Sequence, residues 1–423
     1  MSTKTGWSTP KKTLIFVSVL LTTVGLYWKY TQHTVEPKKK IIILSSIGGG
    51  GHTAATKALR GYLDQDYDVK AVQAFSEVLQ QKDPIALLTK GAHNSVEFYN
   101  YITYKRWFPI LMFMRNAGRW YFDTYPGHVE QLIYSYLEQK KPDLVISVIP
   151  MINNMILKAA KELDIPFLLV PTDFDYTAYI ANISGKTYDK FYLTTPFGSD
   201  LSKSQKVHQN LPILKENLIL SRIPIRAGFF AEKNHSKIKK MFSIPENKPV
   251  VLVMMGAQGS REMYILAKRL RTIETPAHFV LCLGRNKSLQ KKINKIYFPN
   301  HLSVTALGFT DKIPELMAIS DFIITKPGPN TISEAMQMNL PIILDKSATP
   351  LEWEKPNFEL VKKYNIGMTA NSIDEMVFFA NDLLKYPRRL QAFKKDLEQL
   401  PKVNGALKVK ETVDRIFGKK AKK

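Results

Sequence analysis

Seven short apolar runs recur along this chain: KIIILSS, DLVISVI, PFLLVPT, KPVVLVMMG, HFVLCLG, DFIITK and LPIIL. A strand with one wet face alternates apolar with polar residues, whereas continuous runs belong to strands buried on both faces. The longer amphipathic stretches between them, such as TAATKALRGYL and TISEAMQMN, read as the covering helices. The pattern therefore predicts an α/β chain of parallel sheets wrapped by helices. One series occupies about 40–225, and a second starts near Pro249, after the polar stretch AEKNHSKIKKMFSIPENK. A chain of 423 residues exceeds what one core organises, so two doubly wound domains are expected. The expected divisions are 1–39 (anchor and basic linker), 40–235 (first domain), 236–400 (second domain) and 401–423 (basic C-terminal helix or tail).

Charge is concentrated at the ends. Lys and Arg exceed Asp and Glu by 60 to 37, and residues 1–40 and 401–423 each carry a net +6 of the total +23. A basic balance suits nucleic acid or an anionic lipid surface. No helix-turn-helix, zinc-finger or RNA-recognition pattern supports the first, so no nucleic-acid partner is expected. The single cysteine, Cys282, lies in an apolar run and can close no internal disulfide, which fits a reducing compartment. Near the N-terminus, 16 uncharged residues separate Lys12 from Lys29 and end in Tyr27-Trp28. That length is short for a spanning helix, which takes roughly 17–25 residues. The aromatic end and the lack of a small-x-small cleavage pattern favour a retained anchor over a signal peptide or an interfacial helix.

Ligands of doubly wound sheets bind beyond the carboxyl ends of the strands, which directs attention to the turns there. In SSIGGGGH, residues 45–52, four glycines separate a strand from a helix. Glycine permits a tight turn and close approach of a ligand, and free amides at a helix start favour negative charge. The segment is no Walker loop, and Thr53 displaces the third glycine of a dinucleotide fingerprint. It reads as a tight connection or as an anion-lined cleft wall. His52 beside it can accept a hydroxyl proton near neutral pH, or can merely cap the turn. Farther on, GFTDKIPELMAISDFIITKPGPNTISEAMQMNLPIIL, residues 308–344, places Glu334 in the first turn of a helix that begins near Thr331, after a strand and a Lys-Pro-Gly-Pro turn. A carboxylate there can accept ribose hydroxyls or simply complement the helix dipole.

SSIGGGGH, VPTDFD, RIPIR, VMMGAQGS, ALGFTDKIPELMAISDFIITKPGPNTISEA, LPIIL and EKPN occur in this order through residues 40–370. In them the chain resembles the glycolipid-forming glycosyltransferases: the monogalactosyldiacylglycerol synthases and the bacterial processive diacylglycerol glucosyltransferases. It is more distantly similar to the enzyme that adds N-acetylglucosamine to the lipid-linked peptidoglycan precursor. The resemblance implies a GT-B architecture, two Rossmann-like domains across a cleft. It implies inverting transfer of glucose or galactose from a UDP-sugar to diacylglycerol. His52 matches the general base, flanked by Gly50 and Gly51, and Asp173 is a candidate to orient it or the acceptor. Arg226 matches an arginine near the diphosphate. Gly256 and Gln258 approach the nucleotide, Phe309 and Thr310 lie at the uracil, and Glu334 matches the ribose acid. The turn Lys326, Pro327, Gly328 to Thr331 offers amides to the leaving group, and Glu354 and Asn357 lie near sugar and phosphates. No cofactor is implied beyond the donor, and DFD, residues 173–175, is assigned no metal.

Two departures stand out. PLEWEKPN replaces the family's Pro-Gly-Gln-Glu-Lys segment and lacks its sugar-contacting glutamine, and TDFDYTAYI lacks the usual histidine and tryptophan. Residues 84–127 mix aromatics and aliphatics with Lys105, Arg106, Trp107, Arg115 and Arg119. They read as a surface for anionic membrane lipid and acceptor, or as ordinary core helices. The implied setting is the cytoplasmic face of a bacterial inner membrane. Two other classes stay open: a GT-B transferase acting on a polyprenyl-linked precursor, and a silent membrane-bound lipid- or nucleotide-binding protein.

Overall fold

Twelve parallel strands make up two sheets among the described residues. The computed structural model describes residues 37–47, 50–79, 97–98, 101–102, 107–196, 211–256, 261–348 and 350–419, with side chains at 108, 115, 119, 123 and 261 left aside. The expected anchor, Gln258, Lys105 and Arg106, and the side chains of Arg115 and Arg119 lie outside that set. No helix among the described residues is long and apolar enough to cross a membrane.

The first sheet contains β1 (Lys40–Ser45), β2 (Asp68–Gln73), β3 (Leu144–Ser147), β4 (Phe167–Leu169), β5 (Phe191–Thr195) and β6 (Leu218–Leu220), in the order β2-β1-β3-β4-β5-β6. The second contains β7 (Val250–Met254), β8 (Ala277–Cys282), β9 (Leu302–Leu307), β10 (Phe322–Thr325), β11 (Ile342–Asp345) and β12 (Gly367–Ala370), in the order β12-β11-β10-β7-β8-β9. Each order reverses direction once, between β1 and β3 in the first sheet and between β7 and β10 in the second. At such a switch point the connections leave in opposite directions and open a crevice at the strand ends. The SSIGGGGH turn follows β1, and the Lys-Pro-Gly-Pro turn follows β10. Both glycine turns therefore sit at their sheet's switch point.

The strands read from continuous apolar runs are those in the sheet interiors. Ile41, Ile43, Val145, Ile146, Leu168, Leu252, Val280, Ile323 and Ile343 are all fully buried. Helices α1 (Gly51–Leu63), α2 (Phe108–Thr124), α3 (Pro126–Lys140), α4 (Asn153–Glu162) and α5 (Thr177–Ile180) belong to the first domain. In the second, α6 (Pro329–Gln337) follows β10 and α7 (Lys355–Lys363) follows β11.

Residues 40–423 form one compact unit. The chain crosses between sheets twice. Ile223, Ile225 and Phe229 already pack in the second core, together with Phe174 from the loop after β4. The return crossing leads to α8 (Gly405–Ile416), whose Ala406, Val409 and Val413 complete the first core beside Leu59, Leu63 and Tyr67. Tyr67 Oη donates to Asp414 at 2.5 Å, and Lys410 pairs with Asp66 at 2.8 Å. The two crossings touch at Gly405, where a Cβ would lie 2.6 Å from the Arg222 carbonyl oxygen and 2.8 Å from that of Ile223. Only glycine admits so close a backbone approach.

Candidate active site

One wall of the crevice is built from the ends of β1, β3 and β4. Gly50 caps α1 and His52 is its second residue, so the imidazole leaves the helix at the switch-point crevice. The helix start is fixed from below by Thr56, whose Oγ1 donates to the His52 carbonyl at 2.8 Å and meets Ser45 Oγ at 2.7 Å. His52 Nδ1 lies 3.1 Å from Thr172 Oγ1, Thr172 Oγ1 lies 2.8 Å from Tyr179 Oη, and Tyr179 Oη donates to Asp173 Oδ2 at 2.8 Å. Asp173 thus reaches His52 through two hydroxyls.

The loop carrying Thr172 and Asp173 is held at its C-terminal end. Asp175 accepts from the Thr177 amide at 3.0 Å and from the Thr177 hydroxyl at 2.6 Å, which sets the start of α5. Buried Asn153 donates to the carbonyls of Ile149 and Tyr179 at 2.8 and 2.9 Å and accepts from Ser147 Oγ at 2.7 Å. Burial pushes the His52 imidazolium pKa down, while the Asp173 carboxylate and the Val148 carbonyl oppose the fall. Burial also raises the Asp173 carboxyl; His52 and the Tyr179 hydroxyl counter it and Asp175 adds to it. Both shifts have the same origin, since a charge loses hydration in the crevice.

The facing wall comes from β10, β11 and the chain crossing. Gly328 caps α6, and its amide donates to the Lys326 carbonyl at 2.8 Å. Asn357 in α7 donates to the Pro327 carbonyl at 2.5 Å, locking the turn, and Thr331 is half-buried in the helix start. Because α6 begins at Pro329 and not near Thr331, Glu334 lies past the first turn where it was expected. It is buried, and its Oε1 lies 3.8 Å from Arg226 Nη2. Burial pushes the Glu334 carboxyl up to about 7, with Arg226 opposing. Arg226 also donates to the Asp311 carbonyl at 3.2 Å and lies over the Phe229 ring. The arginine and acid expected at diphosphate and ribose are therefore direct neighbours. Glu354 sits in the turn before α7, where its carboxylate accepts from the Leu351 amide at 3.2 Å. Burial pushes it up to about 7 as well; the Leu351 amide and Lys326 oppose this, and Asp173 and Asp345 add to it.

The two walls meet. Asn330 Nδ2 donates to the Gly51 carbonyl at 3.4 Å, so the starts of α1 and α6 confront each other across the crevice. Among the described residues, Asn330 Oδ1 and Asn357 Oδ1 are buried without a hydrogen-bond partner. Gly256 follows β7 with φ of 92°, a conformation that side chains disfavour. Phe309 is 59% exposed at the end of β9 with the Arg285 guanidinium 4.1 Å above its ring, and Thr310 Oγ1 accepts from the Lys312 amide at 3.1 Å. The walls also join through an apolar cluster in which Leu351 and Trp353 pack with Ile102, Leu111 and Met114. Trp353 of PLEWEKPN thus packs on a cluster to which α2 contributes Leu111. On that helix Phe113 is 72% exposed and Trp120 62%, preceded by half-exposed Trp107.

The family model for monogalactosyldiacylglycerol (MGDG) synthase matches residues 52–196, and the glycosyltransferase family 28 C-terminal domain matches residues 250–345. The processive diacylglycerol beta-glucosyltransferase of Bacillus pumilus (strain SAFR-032) is 26% identical over 384 residues, covering 86% of this chain and 92% of its own length. That of Bacillus subtilis (strain 168) is 25% identical, covering 88% and 94%. The chloroplastic monogalactosyldiacylglycerol synthase 1 of Arabidopsis thaliana is 26% identical over 331 residues, 73% of this chain and 58% of its own. Over most of its length the chain is thus similar to diacylglycerol glycosyltransferases. Its fold is also that of Acinetobacter baumannii MurG, with a TM-score of 0.57 at 14% identity over 90% of this chain and all of that one. The calicheamicin glycosyltransferase CalG4 superposes with a TM-score of 0.55 at 12% identity, covering 91% of this chain and 100% of its own. The architecture is GT-B.

Thr172, Tyr179, Arg285 and Asn330 were not singled out by the sequence pattern. Three of them lie inside the stretches VPTDFD, TDFDYTAYI and KPGPN, so their neighbourhood was visible. Their roles depend on which strand ends meet, and that is a property of the sheet order.

Proposed function

We propose that this protein transfers a hexose, glucose or galactose, from a UDP-sugar to diacylglycerol with inversion at the anomeric carbon. The observation that carries the reading is the 3.4 Å contact between Asn330 and Gly51, because it sets the donor-type turn against the histidine turn. His52 takes the proton of the acceptor hydroxyl, the hydroxyl oxygen attacks the anomeric carbon, and the bond from that carbon to UDP breaks. The bonding pair leaves with the diphosphate, stabilised by Arg226 and the amides at the start of α6. Glu334 accepts the ribose hydroxyls. The unpaired amide oxygens of Asn330 and Asn357 accept hydroxyls of the sugar.

The relatives that span most of the chain carry diacylglycerol in their names, which favours this acceptor over a polyprenyl-linked precursor. The exposed aromatics of α2 dip into an anionic membrane, and residues 1–39 anchor the chain there on the cytoplasmic face. The test is purified protein with labelled UDP-glucose, UDP-galactose or UDP-N-acetylglucosamine and vesicles containing diacylglycerol. Glycolipid from one of the first two supports the proposal. Label reaching only a polyprenyl phosphate acceptor, or no transfer at all, refutes it.

A further inference from the structure

We propose that Thr172 and Tyr179 form a hydroxyl relay that lets the Asp173 carboxylate decide which ring nitrogen of His52 carries hydrogen. The inference rests on the reading of His52 as the base.

Each hydroxyl has one hydrogen to give. With Asp173 ionised, Tyr179 must spend its hydrogen on Oδ2, 2.8 Å away. Its oxygen can then only accept from Thr172, at 2.8 Å. Thr172 has now spent its own hydrogen, so at 3.1 Å its oxygen can only accept from His52 Nδ1. The chain of single donors therefore biases the ring toward the Nδ1–H tautomer, which leaves the Nε2 lone pair for the acceptor hydroxyl; the Val148 carbonyl is a second acceptor for the ring's hydrogen. When Nε2 takes that proton, the positive ring faces two aligned hydroxyl dipoles ending in a carboxylate. No proton needs to travel past Nδ1.

Protonation of Asp173 removes the constraint. A neutral carboxyl can donate to Tyr179 and turn every hydrogen in the chain around, so that Thr172 donates to Nδ1. The hydrogen then sits on Nε2 and the base faces the acceptor without a lone pair. The carboxyl is poised for this because burial already raises it. Asp175 on its own loop adds to the rise, and Glu354 interacts with it from the opposite wall, itself opposed by Lys326 and reinforced by Asp345. The acid side of the pH profile thus belongs to Asp173 and His52 together.

The relay explains why a threonine and a buried tyrosine lie between the histidine and its acid. Tyr179 is 1% exposed, and its backbone carbonyl is held by Asn153, so its hydroxyl is aimed by the core. Thr172 and Tyr179 are positioning residues; they touch no reacting atom.

The experiment is nitrogen NMR of the full chain carrying 15N-histidine, with His52→Ala identifying the signal, alongside pH profiles of kcat. In the wild type the His52 signal at pH 8 is that of the Nδ1–H tautomer. Tyr179→Phe removes one oxygen and leaves the ring in place. It loses the single-tautomer signal and lowers kcat by about tenfold to a hundredfold, as expected when a charged partner loses a hydrogen bond, with the donor KM within about twofold. Asp173→Asn removes the charge and offers Tyr179 an amide that donates as well as accepts, so the His52 signal spreads over both tautomers even at pH 8. Thr172→Val behaves as Tyr179→Phe, and Thr172→Ser restores the Nδ1–H signal, which separates the relay from mere packing. An unchanged tautomer in Tyr179→Phe, or a pure Nδ1–H signal retained in Asp173→Asn, overturns the relay. Because the tautomer is read without turnover, a protein that transfers no sugar still decides this inference.

Discussion

Replacing Glu334 by glutamine should make the protein more tolerant of alkaline pH while weakening its hold on the nucleotide. The carboxyl is 7% exposed, and burial pushes it from 4.5 up to about 7 even with Arg226 at 3.8 Å. A carboxyl raised on folding contributes its full stability below 4.5 and loses it as pH rises through about 7. Between about pH 5 and pH 8 the folded state must ionise a group that the unfolded chain ionises more easily, a loss of about 2.5 kcal/mol. Glutamine has the same shape and no such ionisation. Urea unfolding of both proteins at the two pH values measures the effect. Any constant packing cost of the amide cancels in the double difference, which should favour the variant by about 2 kcal/mol at the higher pH. UDP affinity, measured by calorimetry, should fall in the variant and stay near wild type in His52→Ala. Equal pH dependence of stability in the two proteins would refute the reasoning.

Gly405→Ala should destabilise the chain by about 2 kcal/mol or more, since its Cβ meets two backbone carbonyls that cannot retreat without parting the crossings; thermal unfolding checks it. Buried His278, held by Ser303 at 2.8 Å and Thr305 at 3.0 Å, is pushed down to about 4 by burial and then by Lys248 and Lys239. It contributes stability above 6.5 that is lost as pH falls through about 4, roughly 3 kcal/mol in all, and His278→Gln should flatten that acid limb in denaturant titrations. Replacing Phe113 and Trp120 together by serine should reduce binding to anionic vesicles about tenfold or more in a flotation assay, with UDP affinity and melting temperature unchanged, because both rings face solvent.

The strands that were legible and those that were not divide by position in the sheet. KIIILSS, DLVISVI, PFLLVPT, KPVVLVMMG, HFVLCLG, DFIITK and LPIIL became β1, β3, β4, β7, β8, β10 and β11, all interior. The four edges β2, β6, β9 and β12 carry polar residues in DVKAVQ, LSVTAL and GMTA or exposed leucines in LIL, and β5 ends in two threonines. An edge strand has a side open to water and needs no continuous apolar run, so its signal sinks into that of loops.

Order along the chain was enough to identify two glycine turns, a histidine, a helix-borne acid and the class of fold, because strand-turn-helix signals are local and backbone conformation enforces them. It could not say that Asp173 reaches His52 through Tyr179, that Arg226 lies against Glu334, or that Asn330 bridges to Gly51. Those pairs are separated by 108 to 279 residues in the sequence or hidden behind an intervening side chain. They exist because each sheet reverses its strand order at one place and the two chain crossings touch at Gly405, which brings two crevices face to face. Burial there, a tertiary property, then shifts the acids and the imidazole away from their ordinary ionisation.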